Sequence, residues 1–484
     1  MMDEKSLREI VKNLEKEAKN RPKDMGIRLQ LALSYMKLGE ADKGSEELSY
    51  VIAEDPKNVD AHYYFGILSA DQGDIEKALE YFQETVKLDP KHGPAHYFLG
   101  KVLALKGDLP GALKATETAR DVAPNNVLAR NQLGELYIAA GRVQDAVSEW
   151  TKALELDPSN LQALHNLGAA YTDRKDYDKA LEYLTRAENL GSENPGLFYN
   201  LGLCHLGLER TDKAVSYLRK AYELQPGNSS TLITLGEAQV SAGDLDGAME
   251  TWQEALKVNP NEIAATYNLG LAHLQKGDKE KARELWQQCL SQDPGYVMAH
   301  RNLATLAVID GDYDEAVNHW LAVKKAEPQS VEADLALAEL FFRKGDYGQS
   351  SQIITYLLKR LDESGEVSNK RLIVSVTELL HGAVLLAQGK DRDGVSKWVQ
   401  SMRHNPNFAL DNGGFIARCV WPELIRNAEK AARSEDEEKA VGLVKSFVKE
   451  DTLPPSGHRD EKVAKEGEKE GKKGARSWFF RGKK

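Results

Sequence analysis

The sequence has little of what cross-links, hides or activates a protein. Its 484 residues hold three cysteines, Cys204, Cys289 and Cys419. They stand far apart with no C-x-x-C pair, which excludes a disulfide framework and fits a reducing compartment. Long hydrophobic runs are absent too. The most apolar stretch, Leu372 to Ala387, is interrupted by Glu378 and His381 and is shorter than the roughly 20 residues a membrane helix needs. Met1 to Asn20 alternates charged and apolar residues at helical spacing, without the apolar region or cleavage site of a secretory signal. The chain therefore reads as soluble and cytoplasmic. Positive charge is also short: 64 Lys and Arg stand against 75 Asp and Glu, a net of −11. A body of that sign is unsuited to neutralising phosphates, so nucleic acid is not an expected partner for it.

Catalytic groupings are missing as well. Gly202 and Gly207 are followed by Leu208-Glu209, not by the Lys-Ser of a phosphate loop. Gly243-Asp244-Leu245-Asp246-Gly247 offers too few oxygen ligands for calcium. His92 and His96 lack a third zinc ligand, and Cys289 reads as a small packing residue. No catalytic residue, metal or cofactor is expected.

What is present is repetition. Pro56, Pro90, Pro124, Pro158, Pro226, Pro260, Pro294 and Pro328 fall on one register of 34 residues, with Ser192 in the gap and Pro22 extending it backwards. Twenty-four residues before these places stands a Leu-Gly or near equivalent, as in Leu133-Gly134, Leu201-Gly202 and Leu269-Gly270. A second glycine follows seven residues later in eight of ten units, for example Gly73, Gly141 and Gly277, and an alanine five residues further on, such as Ala78, Ala146 and Ala282. Each residue has a physical role in a helix hairpin. The first glycine lets two antiparallel helices approach, and the second takes a left-handed conformation at a helix end. Aspartates such as Asp74, Asp108, Asp176 and Asp312 cap the next helix, with Asp312 and Glu315 placed as a capping box. A bulky residue such as Trp150 or Trp286 fills the space between the helices.

This pattern resembles the tetratricopeptide repeat, whose L-G, A-x3-F and P signature runs nearly unbroken from Met25 to about Asp362. The resemblance implies an all-α fold: a right-handed superhelical solenoid of antiparallel helix pairs. The expected division is a half repeat and cap over 1–24, ten repeats over 25–364, an insertion plus a degenerate eleventh repeat over 365–408, capping helices over 409–450 and a disordered basic tail over 451–484. Length alone would suggest about three domains. Repetition makes length a count of units, and one elongated body results.

The resemblance also implies protein or peptide ligands, held where the first helices of successive units line a concave groove. The positions just before Leu-Gly supply Gln132, Asn166, Asn200, Asn268 and Asn302, and those one residue earlier supply Tyr63, Tyr97, Asn131, His165, Tyr199, Tyr267 and Arg301. Side-chain amides can pair with a ligand backbone, and tyrosine is a frequent interface anchor. Tyr-Asn-Leu-Gly is equally close to the generic repeat consensus, so the same residues also have a purely structural explanation. The lysine by which chaperone-binding relatives clamp a C-terminal carboxylate is missing, which disfavours that partner class.

The tail carries a different signal. From Asp451 to Lys484 ten basic residues face six acidic ones, and the sequence ends in Arg476-Ser477-Trp478-Phe479-Phe480-Arg481-Gly482-Lys483-Lys484. Trp478, Phe479 and Phe480 among Arg476, Arg481, Lys483 and Lys484 suit either peripheral contact with an anionic membrane at its inner face or a linear motif that docks on a partner. The function expected is a non-catalytic scaffold or adaptor. The alternative is an accessory or regulatory subunit of a separately encoded enzyme or of a membrane-associated assembly complex.

Overall fold

The computed structural model describes residues 4–363, 369–414, 416 and 420–448. Among them the elements are all helices. After α1 (Glu4–Asn20) come α2 (Met25–Leu38), α3 (Ala41–Glu54), α4 (Val59–Asp71), α5 (Ile75–Leu88), α6 (Gly93–Leu105), α7 (Leu109–Val122), α8 (Val127–Ala139), α9 (Val143–Leu156), α10 (Leu161–Asp173), α11 (Tyr177–Asn189), α12 (Pro195–Gly207), α13 (Thr211–Leu224), α14 (Ser229–Ser241) and α15 (Leu245–Val258). They continue as α16 (Ile263–Gln275), α17 (Lys279–Gln292), α18 (Val297–Asp310), α19 (Tyr313–Ala326), α20 (Val331–Arg343), α21 (Tyr347–Glu363), α22 (Lys370–Ala387) and α23 (Asp391–His404). Three shorter helices close the described chain: α24 (Phe408–Asp411), α25 (Pro422–Ala431) and α26 (Glu435–Lys445). The chain divides into two compact units, Met1–Ala248 and Met249–Lys484. Within each, the two helices of a hairpin pack side by side and each hairpin leans on the next. This is the all-α architecture of stacked antiparallel helix pairs.

The helix ends follow from single residues. Asn58, Asn126, Asn160 and Asn194 open first helices by accepting a backbone N–H, and Asp74, Asp108, Asp278 and Asp312 do the same for second helices. Asp176 departs from this pattern. It makes no side-chain cap bond to the backbone and pairs with Lys179 at 3.0 Å. Asp312 accepts from the Glu315 N–H, yet the Glu315 carboxylate accepts from Arg283 at 2.9 and 3.1 Å. The reciprocal capping box is complete at Ser434 and Glu437 instead. Gly39, Gly73, Gly107, Gly141, Gly243, Gly277, Gly311 and Gly345 all have positive φ, as does Gly389. In the two hairpins lacking that glycine, Lys175 and Glu209 take φ of 60° and 59°. The fold imposes the left-handed turn even where the residue resists it.

Close approach explains the other glycine. A Cβ on Gly134 would stand 2.1 Å from Trp150 Nε1, and one on Gly382 would stand 2.4 Å from Trp398 Cδ1. The indole N–H groups of Trp150 and Trp398 donate across their hairpins to the Asn131 and Leu379 carbonyls at 3.2 and 3.1 Å. Lys370 to Val374, within the span 365–408 expected to hold an insertion and a degenerate repeat, form the opening of α22. In the second unit Trp398, Phe408, Trp421 and Leu424 share a core with Ala440, Val441 and Val444 of α26, so the apolar face of α26 is spent on packing. Residues 449–484, including the whole tail motif, lie outside the described residues.

Candidate peptide-binding face

Burial sorts the candidate residues. In the first unit Asn131 is 1% exposed and Gln132 8%, so neither presents its amide to solvent. Asn131 Nδ2 donates to Asn160 Oδ1 at 2.9 Å and to Gln162 Oε1 at 3.2 Å, while Gln162 Nε2 donates to Glu135 Oε1 at 2.7 Å. These bonds tie α8 to α10. The Gln132 amide, turned so that its nitrogen donates to the Tyr97 carbonyl at 3.3 Å, accepts from the Lys101 N–H at 2.9 Å, which ties α8 to α6. His165 Nε2 stands 2.9 Å from Ser192 Oγ, and burial lowers the imidazole pKa below its ordinary value. Tyr199 Oη lies 3.3 Å from Thr234 Oγ1.

Tyr63 and Tyr97 are half-buried in an aromatic cluster. The Tyr63 ring centroid lies 4.7 Å from that of His92 and 6.1 Å from Phe98, and Tyr97 meets Phe98 edge-on at 5.1 Å. Burial raises both phenol pKa values. In the second unit Asn302 Nδ2 donates to Tyr267 Oη at 3.0 Å, and Arg301 pairs with Glu327 and Glu332 at 2.8 and 3.2 Å.

Three amides remain open. Asn200 and Asn268 make no side-chain hydrogen bond among the described residues, and Asn166 Nδ2 is a buried donor with no partner there. Asn166 and Asn200 occupy equivalent places on α10 and α12, which are in contact. The structure therefore splits the twelve candidates into members that knit repeats together and this short unpaired set. Sequence spacing could not make that split, because the partners Asn160, Ser192 and Thr234 lie 27 to 35 residues away.

The histidines have structural duties. His92 caps α6 by accepting the Ala95 N–H at 3.0 Å through Nδ1, and His96 Nε2 meets the Pro90 carbonyl at 3.0 Å. His62 and His300 repeat the second contact with Pro56 and Pro294, also at 3.0 Å. Cys289 is fully buried, and burial pushes its thiol up to about 11. Among the described residues no three His, Cys, Asp or Glu side chains group as a metal site, and no helix is long and apolar enough to cross a membrane.

Stacked hairpins with interlocking polar seams and open faces define a repeat scaffold, a class of protein built to hold other proteins. Models of the tetratricopeptide repeat match residues 29–92, 69–131, 125–193, 159–227, 236–277, 263–296 and 301–352. The chain belongs to the tetratricopeptide repeat family, and as such it is a protein-interaction scaffold. Similar solved structures include YrrB, described as a repeat protein of this type with an unusual peptide-binding site. It is 27% identical, the match covers 39% of this chain and 96% of that one, and the TM-score is 0.35. MamA is 25% identical over 34% of this chain and 95% of its own, with a TM-score of 0.32. Pseudomonas aeruginosa pilF is 24% identical over 44% and 97%, with a TM-score of 0.38. No curated protein sequence matches the chain.

Proposed function

We propose that this chain is a non-catalytic adaptor that holds an extended peptide against the first helices of its repeats, with Asn166 and Asn200 pairing to the peptide backbone. The buried, unpaired donor at Asn166 Nδ2 is the observation that supports this reading. A buried amide hydrogen without an acceptor costs about 1–3 kcal/mol, and turning the half-buried Asn166 side chain towards a ligand carbonyl removes the cost. Backbone pairing is tolerant of ligand sequence, so apolar contacts beside the amides set the preference for one partner over another. The basic aromatic tail serves docking in the same scheme.

The test is co-purification with mass spectrometry, comparing the unaltered chain with one carrying both Asn166→Ala and Asn200→Ala. Partners held through the amides drop out of the double variant. A partner list that survives the double change intact defeats the amide reading. Activity of a captured enzyme that appears only when the chain is added would identify the scaffold as a regulatory subunit.

A further inference from the structure

Exposed apolar side chains stand on first helices one and two repeats away from Asn166. Leu105, at the end of α6, is 73% exposed, and Leu128 and Ile138 on α8 are 56% and 42% exposed. These helices are adjacent first helices in the first unit. Ala104 and Ala139 are exposed beside Leu105 and Ile138, so the C-terminal ends of the two helices are apolar.

Its electrostatic surroundings are acidic. Glu135 is exposed on α8 between Leu128 and Ile138, and Asp71 and Asp173 are exposed at the ends of α4 and α10. Of the nearby basic groups, Lys106 Nζ pairs with Glu76 at 3.2 Å, Lys101 Nζ sits 5.9 Å over the Tyr97 ring, and Arg174, beside Asp173, donates to Gln144 Oε1 at 3.2 Å. Glu135 accepts only from the neutral amide of Gln162, so its charge is uncompensated by that bond. The first unit as a whole carries 29 basic against 39 acidic side chains, a net of −10. A ligand matching this face has aromatic or aliphatic side chains flanked by cations.

One segment of this same chain has that composition. Trp478, Phe479 and Phe480 are adjacent, with Arg476 before them and Arg481, Lys483 and Lys484 after. We infer that the segment Ala475–Lys484 of a second copy docks on the α6–α8 face of the first unit, joining copies head to tail. Burial of three aromatics against Leu105, Leu128 and Ile138 supplies the apolar driving force, and the charge match supplies steering that weakens with salt. Donor segment and acceptor face are different patches, so the contact is heterologous. It joins copies either as a closed reciprocal pair or ring, or as an open chain. The inference rests on the reading of first-helix faces as the binding surface, yet it uses a different site from Asn166 and Asn200.

The experiment measures fluorescence anisotropy of a labelled peptide spanning Ala475–Lys484, titrated with a chain ending at Gly474, alongside sedimentation velocity of the intact chain. Binding is expected to weaken at least tenfold when Leu105→Glu and Ile138→Glu are introduced together, and equally when Trp478, Phe479 and Phe480 of the peptide are changed to Ala. Both body positions are solvent-exposed, and circular dichroism of the double variant confirms that it stays folded. The intact chain is expected to associate as its concentration rises, whereas the chain ending at Gly474 stays monomeric. A peptide that ignores the body, or that binds the double variant as tightly, overturns the inference, as does an intact chain that is monomeric at every concentration. Pelleting of the peptide with phosphatidylserine vesicles, without binding to the body, overturns it in favour of a membrane contact. The Asn166→Ala and Asn200→Ala variant leaves peptide binding unchanged, so failure of the amide reading and failure of this one are told apart.

Discussion

At the scale of single residues, the repeat acts as a set of backbone instructions that some positions obey against their own preference. Lys175 and Glu209 occupy the left-handed turn that glycine fills in neighbouring hairpins. A side chain there costs on the order of 1 kcal/mol, partly offset because glycine loses more chain entropy on folding. Lys175→Gly and Glu209→Gly should therefore each stabilise the protein by about 0.5 kcal/mol, read as a higher midpoint in urea unfolding with an unchanged slope. A lower midpoint would mean that the lysine or glutamate side chain contributes a contact stronger than the strain. His381 is the residue-scale titration to follow. Burial first, then the nearby charges of Lys397 and Lys390, lower its pKa from 6.5 to about 4. The unfolded chain thus binds this proton more readily than the folded one, and folding stability falls as pH drops from about 6.5 towards 4. Replacing His381 by Leu should flatten that loss in thermal unfolding followed across the same pH range. The comparison with the unaltered chain cancels the opposing slope of Glu378, whose carboxyl pKa burial raises.

At the scale of elements, the two helices of a hairpin are keyed by a pair 19 residues apart that no signature motif announces. Arg28 meets Glu47 at 2.6 Å, Arg130 meets Glu149 at 2.6 Å, His300 Nδ1 meets His319 Nδ1 at 2.8 Å, and Lys397 meets Glu378 at 3.2 Å. The spacing is constant while the chemistry changes, because the hairpin geometry presents the same two faces each time. Successive hairpins are keyed as well. Tyr35 Oη donates to Glu15 at 2.7 Å, and Tyr137 Oη donates to Glu117 at 2.9 Å, both over a separation of 20 residues. In this contact α1 occupies the place that α7 occupies for α8. Glu149 is 5% exposed and sits between Arg120 and Arg130 at 3.1 and 2.6 Å. Glu149→Ala leaves two arginines without their shared carboxylate and should cost about 3 kcal/mol, measured by chemical denaturation. A loss below 1 kcal/mol would show that solvent compensates the arginines.

At the scale of the whole molecule, contacts run between neighbours, so damage should stay local. Trp398 is completely buried and shares a core with Phe408, Trp421 and Val444. Trp398→Ala should accelerate hydrogen exchange through α22, α23, α25 and α26 while leaving α2 to α13 protected as before. Uniform acceleration across all helices would instead reveal a chain that unfolds as one body. Charge is distributed on the same scale. The overall −11 is the sum of −10 in the first unit, −5 over residues 249–450 and +4 over residues 451–484, so the acidic and the basic aromatic sequences belong to different parts of one chain.

The helix pairs were legible from sequence because each signature residue acts locally: Gly141 turns its own chain, Asp74 caps its own helix, and Gly134 makes room for a tryptophan 16 residues on. Composition and spacing also determined that the tail is basic and aromatic. The tertiary structure decided which polar side chains are occupied. Asn131 and Asn166 stand at adjacent positions of the same repeated motif, yet the first is consumed by Asn160 and Gln162 of the next hairpin while Asn166 Nδ2 has no partner among the described residues. Hydrogen-bond satisfaction depends on what the neighbouring repeat presents across a gap of a few ångströms, and a one-dimensional period carries no record of that distance.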